Sequence, residues 1–307
     1  MKRAKENLRR LKTEQANTAS GGLDLKSSLE IARIINREDA RVATAVARGL
    51  PQIANAIDLI ADAISRGGRL IYVGAGTSGR IAALDAAECP PTFGTKPSTV
   101  QYVIAGGRKA LGSAVEGSED SQELGKAEMA KKKPGRNDVV VGIAASGRTP
   151  YTLAAMQYAR SCSARTVAVV CNGKSPLTKA ADVAIVTEVG PEVISGSSRM
   201  KAGTAQKMVL NILSTGAMTR LGYVYGNLMI NVHAKNYKLQ QRGLEILKRA
   251  TGVRQREAES ALKSSGNQVP VAFVMLKTAL TRKQAERALR FARGNVRRAV
   301  DLGCLFQ

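Results

Sequence analysis

The chain has 307 residues, 44% of them hydrophobic, enough to bury one large core or two smaller ones. No stretch approaches the ~18 consecutive apolar residues of a membrane span and no apolar leader opens the chain, so a cytoplasmic protein with no membrane partner is expected. The net charge of +23 invites a nucleic-acid reading, but aromatics are only 4% and Trp is absent; a basic coat on an enzyme of anionic substrates fits better, and nucleic acid is disfavoured as a partner.

In chain order, residues 1–16 are charged and polar and read as a frayed helix or an arm, followed by a turn-like Asn17–Gly22 run. Across Ser27–Ser65 apolar residues recur at helical spacing (Leu29, Ile31, Ile34, Ile35, then Val42 to Ile64), with Pro51 opening a new helix. The period then changes. Arg69–Val73, Val100–Ala105, Asp138–Ala144, Arg165–Val170 and Asp182–Val189 read as strands. Helical patterns at Gly79–Ala87, Ala110–Lys132, Tyr151–Ser161 and Leu177–Ala181 lie between them. This alternation predicts an α/β fold, a doubly wound, mainly parallel five-stranded sheet whose ligands gather beyond the carboxyl ends of its strands. Met200–Leu221 reads as a long apolar helix serving core or dimer interface, and 241–307 as short helices broken by glycines. The expected divisions are 1–56, an N-terminal arm and helices; 57–235, the α/β domain; and 236–307, a small helical domain.

Three hydroxyl-rich turns stand at predicted helix starts. Gly74, Gly76 and Gly79 fit a dinucleotide fingerprint, yet the second strand ends Val103-Ile104-Ala105 without the acid that would hold a ribose. Thr77 and Ser78 within that loop suit a compact phosphate monoester instead. The second turn is Ser146-Gly147-Arg148-Thr149, in which Arg148 either clamps the phosphate or caps a surface. The third, Gly196 to Thr204, offers Ser197, Ser198, Arg199 and Lys201. The four cysteines form no Cys-x-x-Cys pair, and the single histidine, His233, excludes a two-histidine metal site and argues against a Ser-His-Asp triad. His233 is either packed in a connector or a sugar-opening catalyst.

These motifs, in order, resemble a known family. Gly74–Arg80, Glu88-Cys89-Pro90-Pro91-Thr92, Ala105–Gly107, Glu116–Asp120, Ala144–Pro150 and Gly196–Thr204 are similar to those of the N-acetylmuramic acid 6-phosphate etherases, a branch of the sugar-isomerase (SIS) domain proteins. The resemblance runs from about Leu11 to Leu302 and takes in Asn17–Ser20 and Thr251-Gly252. It implies a flavodoxin-like SIS sheet and a cytoplasmic homodimer. It also implies an enzyme of cell-wall sugar recycling that splits the lactyl ether of a 6-phosphorylated amino sugar, giving N-acetylglucosamine 6-phosphate and D-lactate without metal or organic cofactor. Its acid–base carboxylates carry over to Glu88 and Glu119, while the hydroxyl-rich turns themselves offer Thr77, Ser78, Gly79, Ser146, Arg148, Thr149, Ser197, Ser198 and Lys201 to the phosphate. The apolar, rigid Ala86-Ala87-Glu88-Cys89-Pro90 setting is expected to raise the pKa of Glu88 and fit it to act as the acid toward lactate, with Glu119 assisting ring opening or removal of the C2 proton. Glu116 and Asp120 are close rivals of Glu119, and pairing with Arg80 is the plain alternative for Glu88. The chain departs from the family in its high charge and in an apparent extension, Met1–Arg10. A phosphosugar isomerase and a sugar-phosphate-sensing regulator remain the competing readings.

Overall fold

The computed structural model describes residues 11–234 and 236–305, so the Met1–Arg10 extension lies outside the described residues. The chain divides into two compact units, one running to Ala86 and resuming at Ser98–Ser214, the other made of Ala87–Pro97 and the chain from Thr215 onward. The helical unit thus takes in more than the 236–307 expected, and the division falls inside two long helices.

The sheet unit begins with a short 3-10 turn at Lys12–Glu14, within the stretch read as a frayed helix or an arm, and two more at Thr18–Ser20, within the turn-like run, and Leu23–Leu25. Helix α1 (Ser28–Asp39) starts on a capping box: the Glu30 amide donates to Ser27 Oγ at 3.4 Å, and the Ser27 amide donates to Glu30 Oε2 at 2.9 Å. Helices α2 (Val42–Ala47) and α3 (Leu50–Ser65) follow, with Pro51 in the first turn of α3, where a missing N–H costs nothing.

The five expected strands form: β1 (Leu70–Gly74), β2 (Val100–Ile104), β3 (Val139–Ile143), β4 (Arg165–Val170) and β5 (Val183–Val186). Every pairing is parallel, in the order β2-β1-β3-β4-β5. Each residue of β1 and β3 is buried, as expected of strands covered on both faces, and their sequences accordingly read as unbroken apolar runs. The connecting helices are α4 (Gly76–Phe93), α5 (Gln122–Lys131), α6 (Pro150–Ser161) and α7 (Pro176–Ala180), and α8 (Lys201–Arg220) follows the sheet.

Two expectations change. α4 runs on through Pro90 and Pro91 instead of stopping at Ala87. Each proline removes one backbone donor but holds φ near the helical value, so the final turn persists and the Gly94 amide closes it on the Pro90 carbonyl at 2.9 Å. The span Ala110–Lys132 is not one helix. Gly107–Leu111 and Glu116–Ser118 are 3-10 turns, and α5 starts only where Ser121 Oγ accepts the Leu124 amide at 3.2 Å.

The helical unit contains α9 (Tyr237–Thr251), α10 (Gln255–Ser264), α11 (Val269–Thr278), α12 (Arg282–Phe291) and α13 (Val296–Cys304). Its core gathers Leu247, Phe273, Val274 and Val296, with Tyr225 set 4.6 Å from Phe273 between ring centres. No helix among the described residues is long and apolar enough to cross a membrane.

Candidate functional site

In the order 2-1-3-4-5 the winding direction reverses between β1 and β3, which leaves a crevice beyond their carboxyl ends. A cavity of about 460 Å³ lies there. Its walls include Thr77 and Ser78 after β1, Ser146, Arg148 and Thr149 after β3, and also Ser198, Glu119, Asp120, Thr13 and Glu14. All belong to the sheet unit.

Two helices begin at this cavity. In α4 the first intrahelical bond runs from the Gly79 amide to the Ala75 carbonyl, at 3.2 Å. The amides of Thr77 and Ser78 precede it and are among the orphan donors of the helix start, where partial positive charge gathers. Gly79, predicted as a ligand, has a packing role instead: a Cβ there would stand 2.5 Å from Ile104 Cγ1, so only glycine lets α4 approach β2. Ser78 is buried and its Oγ donates to Gln206 Oε1 at 2.9 Å, so this hydroxyl also braces α4 against α8.

The second start is that of α6. Ser146 Oγ accepts the Arg148 amide at 3.2 Å, which tightens the turn and keeps the hydroxyl proton for another acceptor. Gly147 takes a positive φ of 68°, and a Cβ on it would lie 2.2 Å from Ser175 Oγ. Thr149 is the N-cap residue, yet its side chain makes no capping bond, which leaves the hydroxyl for a ligand. Glu119 is tied to this start: its carbonyl accepts the Tyr151 amide at 3.1 Å. Two helix starts, their amides and hydroxyls, and the Arg148 cation together suit an anion the size of a phosphate.

The third hydroxyl-rich start differs. Both carboxylate oxygens of Glu192, a fully buried residue, accept the amides of Lys201 and Ala202, at 3.0 and 2.9 Å. An internal carboxylate thus occupies the N-terminus of α8. Burial pushes the Glu192 carboxyl above its ordinary pKa, and the two amides counter that only in part. Lys201, predicted to hold phosphate, is 1% exposed and donates through Nζ to Glu38 Oε2 at 2.6 Å. Asn17 also donates to that oxygen, at 2.8 Å. Burial would raise the Glu38 carboxyl, but Lys201 and Asn17 together hold it below the usual value. Of the predicted residues here, Ser198 reaches the cavity, while Ser197 and Lys201 are not in its walls.

Glu88 is also not in those walls. It is exposed on α4, so the apolar setting expected from its neighbours is not where its carboxylate lies. Arg80 does not serve it either: the guanidinium donates to the carbonyls of Ala110 and Ser113, at 2.9 and 2.8 Å. His233, in the helical unit, is exposed and its backbone bridges to Gln268. Thr13 and Glu14 are missing from the sequence-predicted site because they stand in a charged stretch that reads as a frayed helix or an arm. Their only signal was a hydroxyl and an acid placed just before Asn17–Ser20.

Comparison with known proteins gives the following. A model of the glucokinase regulatory protein N-terminal SIS domain matches residues 52–160, and one of the SIS domain matches 123–215. The chain is similar to the N-acetylmuramic acid 6-phosphate etherase of Photorhabdus laumondii, 50% identical over 297 residues, covering 97% of this chain and 99% of that protein. The enzyme of the same name from Vibrio vulnificus is 51% identical with the same coverage. A phosphoheptose isomerase structure from Francisella tularensis superposes with a TM-score of 0.51 at 17% identity, covering 63% of this chain and 100% of that one. That last likeness speaks to the fold alone.

Proposed function

The chain belongs to the N-acetylmuramic acid 6-phosphate etherase family, and from that premise we propose that it cleaves the lactyl ether of N-acetylmuramic acid 6-phosphate by elimination followed by hydration. The observation that carries the reading is the single cavity in which the turns after β1 and β3 meet Glu119.

An alkoxide is a poor leaving group, so direct hydrolysis at a secondary carbon is slow. Opening the sugar to its aldehyde makes the C2 hydrogen acidic and sets the lactyl oxygen β to the carbonyl. A base takes the C2 proton, the C3–O bond breaks, and an acid protonates the departing oxygen to give lactate. Water then adds to C3 of the unsaturated aldehyde and a proton returns to C2, giving N-acetylglucosamine 6-phosphate. Two carboxyl groups in opposite protonation states suffice for these steps.

We assign phosphate binding to the amides of Thr77 and Ser78 with the hydroxyls of Ser146 and Thr149, helped by Arg148 and Ser198. Glu119, beside the α6 start, is assigned as the C2 base. Glu88 is assigned as the acid on its motif, Glu88–Thr92, and not on its position. The reading includes a homodimer, as the family resemblance implies. In that dimer Glu88 serves the partner's cavity. Mixing Glu88→Ala with Glu119→Ala chains should then restore part of the activity that each lacks alone. The reading also includes a cytoplasmic location, because a phosphorylated sugar cannot cross a lipid bilayer unaided.

Turnover in H2(18)O tests the chemistry. Elimination and hydration place the label on C3 of the sugar and none in lactate. Label in lactate, or no lactate from the folded chain, would contradict the proposal. An isomerase or a non-turning regulator on this fold would release no lactate.

A further inference from the structure

Ring opening needs its own proton carrier, and the two carboxylates carried by the motifs already have other tasks. Glu14 is a further carboxylate in the cavity wall. It ends the 3-10 turn Lys12–Glu14, which is fastened at several points. Thr13 is 2% exposed and its Oγ1 accepts from Asn172 Nδ2 at 3.4 Å. The same Asn172 amide group donates to the carbonyl of Ala145, next to Ser146, at 3.1 Å. Ser195 Oγ lies 3.2 and 3.3 Å from the Glu14 and Gln15 carbonyls and donates to them. Beyond these, Asn17 Nδ2 donates to the Pro191 carbonyl at 3.1 Å, and Ser20 Oγ to that of Val193 at 2.7 Å. At the carboxylate itself, Thr13 Oγ1 donates to Oε1 at 3.4 Å, and Gly196 passes so close that a Cβ there would stand 3.3 Å from Oε2.

The segment is fixed in this way, and Glu14, an exposed residue of it, sets its carboxylate at the cavity wall; that carboxylate is no phosphate ligand, since like charges repel. The groups it can engage are the hydrogen-bond donors of the sugar. We propose that Glu14 is the acid–base group that opens the sugar ring, an assignment that rests on the etherase reading above. The carboxylate takes the proton of the anomeric hydroxyl as C1 becomes a carbonyl and the bond from C1 to the ring oxygen breaks. The carboxylic acid so formed delivers that proton to the ring oxygen. The group ends as it began, and the aldehyde is ready for the C2 base. Asp120 also lines the cavity, beside Glu119, and is the residue against which the assignment is tested.

The test follows exchange between the two anomers of N-acetylglucosamine 6-phosphate by NMR, which reports ring opening without ether cleavage, alongside lactate release from the full substrate. In Glu14→Gln, enzyme-catalysed anomer exchange should vanish and lactate release should fall by about 10²–10⁴-fold, with a small change in KM and an unaltered melting temperature. Glu14→Asp, which keeps the carboxylate but draws it back, should retain slowed exchange. Anomer exchange at the parent rate in Glu14→Gln, or its loss in Asp120→Asn instead, would overturn the assignment. A parent chain that opens rings but releases no lactate would sink the etherase reading itself. A parent chain that releases lactate, matched by Glu14→Gln, would sink only the role of Glu14.

Discussion

The starts of α4 and α6 and the start of α8 carry the same kind of sequence, yet they do opposite things. At α4 and α6 the leading amides and hydroxyls border a shared cavity. At α8 the equivalent amides are taken by Glu192, and the neighbouring cation is consumed by Glu38. A helix N-terminus attracts an anion in each case; what differs is whether the protein supplies the anion. A start closed by an internal carboxylate builds the scaffold, and a start left open to a crevice takes a ligand.

The largest effects should separate the two classes by what they damage. Glu119→Gln, beside the open α6 start, should cut lactate release by about 10²–10⁴-fold while leaving the melting temperature in place. In the same assay Glu88→Ala should lose lactate but keep exchange of the C2 hydrogen with solvent, whereas Glu119→Gln should lose both. Exchange surviving in Glu119→Gln would reassign the base. Lys201→Ala should instead unfold the protein more readily, by about 3 kcal/mol, because it removes the buried partner of the Glu38 carboxylate and leaves it only Asn17 and the exposed Arg41. Denaturant titration checks this, and an unchanged midpoint with a raised KM would return Lys201 to the ligand.

A smaller effect comes from pH. Asp85 on α4 is buried and accepts hydroxyl bonds from Tyr72 at 2.8 Å and Ser214 at 3.0 Å, and burial raises its carboxyl to about 6 from 3.8 against the pull of these donors and of Lys207. Its folded value exceeds its unfolded one, so the folded chain binds more protons in that window. This group's contribution to stability should therefore improve as pH falls from above 6 toward 4, by about 3 kcal/mol at most. Glu38 has the opposite sign, since its lowered carboxyl contributes stability that is lost as pH falls through its folded value. Asp85→Asn should remove the first trend from a set of denaturation curves; the same slope in the variant would refute it. The mildest change is Ser78→Ala. It should cost about 1 kcal/mol through the lost bond to Gln206, with the ligand still held by the helix amides. A large rise in KM without loss of stability would show that the hydroxyl itself grips the phosphate.

Much of this was legible in the sequence, and the limits have physical causes. The central strands β1 and β3 were the most readable because parallel strands buried on both faces are continuous apolar runs, and the edge strands β2 and β5 followed from their spacing. The open starts were readable because each of those turns is local, with Thr77 and Ser146 beside the glycines that shape it. The closure of α8 was not readable, since Glu38 lies 163 residues from Lys201 along the chain and joins it only in the fold. Glu14 was hidden for a related reason: among so many charges, one acid shows its role only when residues such as Asn172 and Ser195 pin its segment. Glu88 shows the converse, a residue whose motif is distinctive and whose place in a single chain does not by itself complete the site.

Binding of N-acetylglucosamine 6-phosphate, measured by calorimetry on the parent chain, Ser146→Ala and Ser197→Ala, tests most directly whether the open starts hold the phosphate while the turn before the closed one reaches it through Ser198 alone. Ser146→Ala should weaken binding by about 1.5–3 kcal/mol, the worth of a hydrogen bond to a charged group, and Ser197→Ala should match the parent. Unchanged affinity in Ser146→Ala, or a comparable loss in Ser197→Ala, would contradict the account.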